Sequence, residues 1–212
     1  MTIEQALQPY KGQAISMSIL MDLLKDYLRP HNKIQELEKQ HMLTRIKRGL
    51  YITGDALQDA KPSLFNLANH IYGPSYVSLE AALSHWGLIP ERVTAIGSMT
   101  TGSTRTFRTA AGLFRYFKTR LPYYSFGIRR VVLAKDQTAL IAGPEKALCD
   151  VILTRTGVLL RSVSQTQFFL EEDLRMEREP LRTLDREMIR SWLPDAAKQN
   201  SLRMLIKTLE AL

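Results

Sequence analysis

Leu43-Thr44-Arg45-Ile46-Lys47-Arg48-Gly49-Leu50-Tyr51-Ile52-Thr53 consists of two short β-prone runs on either side of a glycine, with Arg45, Lys47 and Arg48 gathered at the turn. That pattern predicts a basic ribbon or hairpin. Two helices are expected before it. Ser16 is placed to cap the first, with Ile19, Leu20, Leu23, Leu24 and Tyr27 along one face. Pro30 suits the first position of the second, where no N–H is needed. That helix is expected to run to about His41 with Ile34 and Leu37 inward. Helix, helix and basic hairpin is the order of a winged helix-turn-helix, and Gly54-Asp55 closes the unit.

In such a unit the second helix meets base edges in the major groove. With Ile34 and Leu37 inward, a rotation of about 100° per residue turns Arg29, Asn32, Gln35, Glu36 and Lys39 outward, flanked by His31 and Lys33. Arg grips guanine, Asn and Gln grip adenine, and Glu accepts from cytosine. Arg45, Lys47 and Arg48 on the hairpin suit phosphates or the minor groove, contacts that position a protein without specifying sequence. Polar side chains on an outward face are also what any solvated helix shows. The basic hairpin that follows tips the reading toward DNA.

The rest of the chain alternates helix and strand. Helices are expected at Pro62–Ile71, at Leu79–Trp86 behind a Ser78 cap and before a Gly87 stop, from Gly143-Pro144-Glu145 to about Thr154, and after a Ser201 cap. Strand-like runs fall at Val93–Ile96, Arg105–Thr109, Leu113–Lys118, Ile128–Ala134 and Thr138–Ala142. Glu171–Arg190 mixes acids and arginines and reads as a solvated helical face. The expected fold class is therefore α+β or mixed: an N-terminal winged helix-turn-helix over residues 1–55, then an α/β domain over residues 60–212.

The chain has 212 residues, 45% hydrophobic and 24% charged, enough to bury a core without a metal or disulfide staple. No run approaches the roughly 20 apolar residues of a membrane helix, and Met1-Thr2-Ile3-Glu4-Gln5 lacks the start of a secretory signal. A single cysteine, Cys149, suits a reducing compartment, so a cytoplasmic location is expected. The net charge is +8, which makes a polyanion partner plausible. Nine cations (Arg92, Arg105, Arg108, Arg115, Lys118, Arg120, Arg129, Arg130 and Lys135) fall in one acid-free stretch, leaving the remainder close to neutral.

Phe107, Phe114, Tyr116, Phe117, Tyr123, Tyr124 and Phe126 interleave with those cations. Such a pattern makes a stacking surface for single strands, or else one strand face packs inward while the other stays basic. Glu145-Lys146 suggests a metal-dependent nuclease, but adjacent helical residues point about 100° apart, and the pair reads better as a helix start. His31, His41, His70 and His85 lack metal-ligand spacing. The loop Gly97–Thr104 lacks the Gly-Lys-Ser/Thr ending of a P-loop and reads as a polar loop. No cofactor, metal site or catalytic residue is expected, and Cys149 is expected to be a small buried residue.

Residues 43–51 resemble the wing of AbiEi-type antitoxins of type IV toxin–antitoxin systems. Tyr76-Val77-Ser78-Leu79-Glu80-Ala81-Ala82-Leu83-Ser84-His85-Trp86-Gly87-Leu88 and Pro144-Glu145-Lys146-Ala147-Leu148-Cys149-Asp150 are similar to two segments of that family's second domain. The resemblance covers roughly residues 10–155 and implies a transcriptional autorepressor that binds inverted repeats. Its second domain would oppose a nucleotidyltransferase-like toxin from the adjacent gene. Expected partners are double-stranded DNA, that toxin and a second copy of the chain. Arg105, Arg108, Arg115, Lys118, Arg129 and Arg130 are the expected antitoxin or nucleic-acid surface. The alternatives are a regulator without a toxin, whose second domain dimerises or senses a ligand, and a nucleic-acid-processing enzyme.

Overall fold

A computed structural model describes residues 2–57, 61–91, 93–134 and 137–212, a mixed α and β structure with two sheets. The first unit runs α1 (Ile3–Leu7), β1 (Ile15–Ser16), α2 (Met17–Leu23), α3 (Pro30–Lys39), β2 (Leu43–Lys47) and β3 (Leu50–Thr53). The little sheet is antiparallel in the order β1-β3-β2. Thr2 and Gln5 cap α1 reciprocally: Thr2 Oγ1 accepts from Gln5 N at 3.3 Å, and Gln5 Oε1 accepts from Thr2 N at 3.0 Å. Ser16 caps α2 by accepting from Ile19 N at 3.3 Å. Leu7, Ile15, Leu20, Leu24, Ile34, Leu37, Leu43 and Tyr51 form the core of this unit.

The hairpin has two buried faces. Tyr51 points into the helical core, whereas Ile46, Leu50 and Ile52 belong to the larger core of residues that follow. Simple alternation along β2 would put Lys47 on the same side as Arg45. A bulge between Arg45 and Lys47 resets the register, pairing Arg45 with Tyr51 but Lys47 with Leu50. Lys47 therefore turns toward the second unit. Its ammonium donates to the Ile71 carbonyl and lies 5.9 Å from the Phe107 ring. The turn needs Gly49, whose φ of +80° suits a residue without Cβ. Gly54 closes the unit by close approach: a Cβ there would sit 2.2 Å from the His41 carbonyl oxygen.

Beyond residue 60 come α4 (Leu64–Ile71), β4 (Ser75–Val77), α5 (Leu79–His85), β5 (Ala95–Thr100), β6 (Arg105–Thr109), β7 (Gly112–Lys118), β8 (Ile128–Ala134), β9 (Gln137–Ala142) and α6 (Pro144–Thr154). The six strands form one mixed sheet in the order β6-β7-β5-β4-β9-β8, parallel where β7 meets β5 and where β4 meets β9. On one face α4 packs, and the Tyr116 hydroxyl donates to the Ala68 carbonyl at 2.6 Å. On the other face α6 packs, and Tyr76 reaches Asp150. Short β4 pairs with β9 at Val77 and Ile141. Asparagines of α4 satisfy further β9 backbone groups: Asn69 bonds both the N–H and the carbonyl of Leu140, and Asn66 donates to Thr138 O. The chain ends in α7 (Val163–Phe168), a π-helical turn at Phe169–Asp173, α8 (Arg178–Arg182), α9 (Arg186–Trp192) and α10 (Gln199–Ala211).

Several sequence expectations are corrected. Tyr27 is not in the stripe of α2, which ends at Leu23; it is 41% exposed beneath the Lys33 ammonium. Residues expected as a polar loop at Gly97–Thr104 instead continue strand β5 to Thr100, buried between β4 and β7. Small polar side chains are tolerated there because a buried hydroxyl such as that of Thr100 finds a carbonyl, Pro74 O at 2.8 Å. Ser78 stands at the N-cap position of α5 without a side-chain cap bond, and Ser201 lies inside α10, which starts at Gln199. Ser78 donates to Asp150, and buried Ser201 accepts from Leu160 N at 3.1 Å. The acidic and basic run Glu171–Arg190 breaks into three short helical pieces rather than one. Among the described residues no helix is long and apolar enough to cross a membrane.

Ile52 ties the hairpin to the second unit, so Ile52→Ala is expected to lower stability by about 2–5 kcal/mol. Thr44→Ala, half-buried on the same hairpin, is expected to cost less than about 0.5 kcal/mol. Urea denaturation followed by circular dichroism measures both.

Candidate nucleic-acid interface

Pro30 starts α3 and Lys39 ends it, so the helix presents the side chains that the sequence places outward. Arg29, His31, Asn32, Gln35, Glu36 and Lys39 are exposed, and Lys33 is half-buried. Asn32, Gln35 and Lys39 are spaced by three and four residues and form one stripe. None of the three has a side-chain partner among the described residues. Lys33 and Glu36 are already engaged: Lys33 Nζ donates to Glu36 Oε1 at 2.8 Å, and Gln40 donates to the same oxygen at 3.1 Å. The Lys33 hydrogen bond holds the Glu36 carboxyl below the usual carboxylate range.

The hairpin is oriented against this helix by Arg45, whose guanidinium lies 3.5 Å from the Glu38 carboxylate on α3. Arg48 is exposed at the hairpin tip. Lys47 is not on this surface, because the bulge commits its ammonium to Ile71. The unit thus brings together Arg29, His31, Asn32, Gln35, Lys39, Arg45 and Arg48, and it diverts Lys47.

The expected six-residue basic surface is divided. Arg105, Arg108, Arg115 and Lys118 lie on β6 and β7, at one edge of the sheet, and Arg129 and Arg130 lie on β8, at the other. Four strand spacings separate β7 from β8, about 19 Å. Register separates the cations of the first edge further. Arg105 pairs with Tyr116 on the α4 face and Thr106 with Arg115 on the opposite face. Arg105 lies 5.5 Å from the Tyr72 ring. Arg129 is held by Glu145 at 3.6 Å and stacks 5.3 Å over Trp86. Arg92 and Lys135 lie outside the described residues. Nor do the interleaved aromatics make an open stacking surface: Phe114, Tyr116 and Tyr123 are buried.

Residues 145–150 of α6 are all buried, and Glu145 and Lys146 do stand in its first turn, as the sequence reading places them. Lys146 and Asp150 are fully buried, 3.5 Å apart at i and i+4. Asp150 accepts from Tyr76 Oη at 3.0 Å, Ser78 Oγ at 2.7 Å and Tyr123 Oη at 3.1 Å. Lys146 Nζ donates to the Tyr123 carbonyl at 2.7 Å and lies over that ring. The two second-domain segments that carry the family resemblance therefore meet in one buried cluster. Burial pushes the Tyr76 and Tyr123 hydroxyls well above their ordinary range and pushes the Lys146 ammonium down. Burial also raises the Cys149 thiol, which leaves a poor nucleophile. With its protons held and no solvent at hand, the cluster locks α6 to the sheet. Sequence reading misses it, although a Lys and an Asp four apart in an otherwise apolar helix is a usable signal. Among the described residues no group of three His, Cys, Asp or Glu is placed to hold a metal ion. No protein-family model matches this chain, and no curated protein matches it.

Removing one partner of a buried pair leaves the other uncompensated. Lys146→Met is therefore expected to destabilise the fold by about 3–5 kcal/mol, read as a shift of the denaturation midpoint. The exposed Lys39→Met should leave that midpoint within about 0.5 kcal/mol of the parent.

Proposed function

We propose that residues 1–55 are a winged helix-turn-helix that binds duplex DNA, and that the chain represses transcription by occupying an inverted-repeat operator as two copies. The observation that carries this reading is the unpartnered stripe Asn32, Gln35 and Lys39 on α3, beside a hairpin fixed to the same helix through Glu38 and Arg45. Strand β1, which pairs with β3 ahead of α2 and α3, fits that architecture. Asn32 and Gln35 would read base edges, and Arg29, Lys39, Arg45 and Arg48 would hold phosphates. The antitoxin role follows from the resemblance of residues 76–88 and 144–150, whose convergence on Asp150 makes them a scaffold. Of the expected basic surface, the exposed Arg108 and Arg115 on neighbouring strands β6 and β7 are the pair we assign to meeting a toxin.

Fluorescence anisotropy with operator duplexes tests the DNA reading. Asn32→Ala and Gln35→Ala should each cost about 1–3 kcal/mol on the preferred sequence and relax base preference. Arg48→Ala should weaken all sequences alike. With four phosphate-holding cations, the slope of log affinity against log salt should be about −3 to −4 per chain. Lys47→Ala should leave that slope unchanged, since its ammonium is engaged within the protein. A flat salt titration, or full affinity in every variant, defeats the assignment.

Co-expression with the adjacent-gene product tests the second role. Full-length chain carrying Arg108→Glu and Arg115→Glu should lose growth rescue while still binding operator. The Asn32→Ala/Gln35→Ala/Arg48→Ala variant should keep rescue.

A further inference from the structure

The parallel strands β5 and β7 end side by side, with Thr100 in register with Lys118. A cavity of about 650 Å³ opens there, built from those strand ends and the turn after β7, the last turn of α6, and residues 195–197. Ligands of open α/β sheets bind outside the carboxyl ends of such strands. The volume falls within the range of roughly 300–1,000 Å³ typical of small-molecule sites. Four segments of the chain thus enclose a space that none of the functions above uses.

Its chemistry is two-sided. Lys118 and Arg120 both line the cavity, both are exposed, and neither has an ion-pair partner among the described residues. Thr104 stands beside them, its hydroxyl oxygen accepting from Lys118 N at 3.1 Å, so its own proton is left for a guest. Met99, Phe117 and Leu153 supply the apolar side. One carboxylate, Asp195, lines the cavity against two cations. The carboxyl end of α6 would oppose an anion through its dipole. Lys198 covers that end: its Nζ donates to the carbonyls of Ile152, Arg155 and Val158 at 2.8, 2.9 and 2.9 Å.

We propose that this cavity binds a small phosphorylated molecule with a flat apolar body, its phosphates on Lys118 and Arg120 and its body against Phe117 and Leu153. Two adjacent unpaired cations match a diphosphate better than a single phosphate. A concavity of this size encloses a small molecule and excludes a duplex.

Isothermal titration calorimetry on the full chain tests this, with ADP as the probe and inorganic pyrophosphate as the same anion without a body. One ADP per chain is expected, with pyrophosphate at least fivefold weaker. Lys118→Gln/Arg120→Gln should weaken ADP at least tenfold with an unchanged circular dichroism spectrum. Arg108→Gln/Arg115→Gln removes the same charge from β6 and from β7 upstream of the cavity, which neither residue lines, and should change ADP affinity less than twofold. Absence of ADP binding at millimolar concentration overturns the proposal. So does equal loss in both double variants, which means unspecific attraction, or unchanged affinity in Lys118→Gln/Arg120→Gln. Pyrophosphate as tight as ADP removes the apolar half of the site. Loss of duplex affinity in Lys118→Gln/Arg120→Gln without any ADP binding assigns those cations to DNA instead.

Discussion

The hairpin β2–β3 is shared between two hydrophobic cores, and this constraint organises everything around it. Tyr51 faces the helices and Leu50 and Ile52 face the sheet domain, so the period-2 alternation of one short strand joins the two units. The bulge at Ile46 turns both Ile46 and Lys47 to the sheet-domain side, where Lys47 caps the end of α4. A hairpin buried on both faces cannot pivot freely. Its tip, with Arg48, and the α3 stripe that Arg45 ties to it are therefore held at a set angle to the second domain.

Inside the second domain the equivalent constraint is polar. Asp150 collects three hydroxyl donors from β4, the residue after β4 and the turn after β7, and Lys146 balances its charge. Buried charge pairs are weak sources of net stability but costly to leave half-satisfied. The cluster therefore favours one arrangement of α6 against the sheet over sliding alternatives. Tyr123 links it to the cavity beyond the ends of β5 and β7, since the same residue bonds Asp150 and lines that space. Lock and cavity share a wall.

The acid-free basic stretch shows how a linear pattern is dispersed by topology. β6–β7 and β8–β9 are consecutive hairpins in sequence, yet β5 and β4 lie between them in the sheet. The cations consequently fall into three settings. Arg105, Arg108 and Arg115 are exposed near one edge, Lys118 and Arg120 line a cavity, and at the other edge Arg130 is exposed while Arg129 is bound to Glu145 and Trp86. Mutual repulsion among so many like charges is relieved mainly by distance, and at Arg129 by the Glu145 carboxylate.

Much of the local structure was legible in the residues alone. The Ser16 cap, Pro30 at the start of α3, Gly49 at the turn and the apolar positions 34 and 37 each act within a few residues, and the helices and hairpin sit where they predict. The run β6 to β9 was likewise readable from alternation and turn chemistry. What escaped depends on partners distant in the chain. The second half of β5, from Gly97, looked like a polar loop because its small hydroxyl residues are buried only by strands β4 and β7 on either side. Ser78 and Ser201 resembled caps because their true partners, Asp150 and Leu160, lie 72 and 41 residues away. The burial of Lys146 escaped because the Tyr123 ring and carbonyl that receive it lie 23 residues away and are invisible to helical periodicity. Short-range propensity acts through adjacent backbone and is written in the sequence; strand order, burial of charge and the sharing of the hairpin are settled only when distant segments compete for the same space.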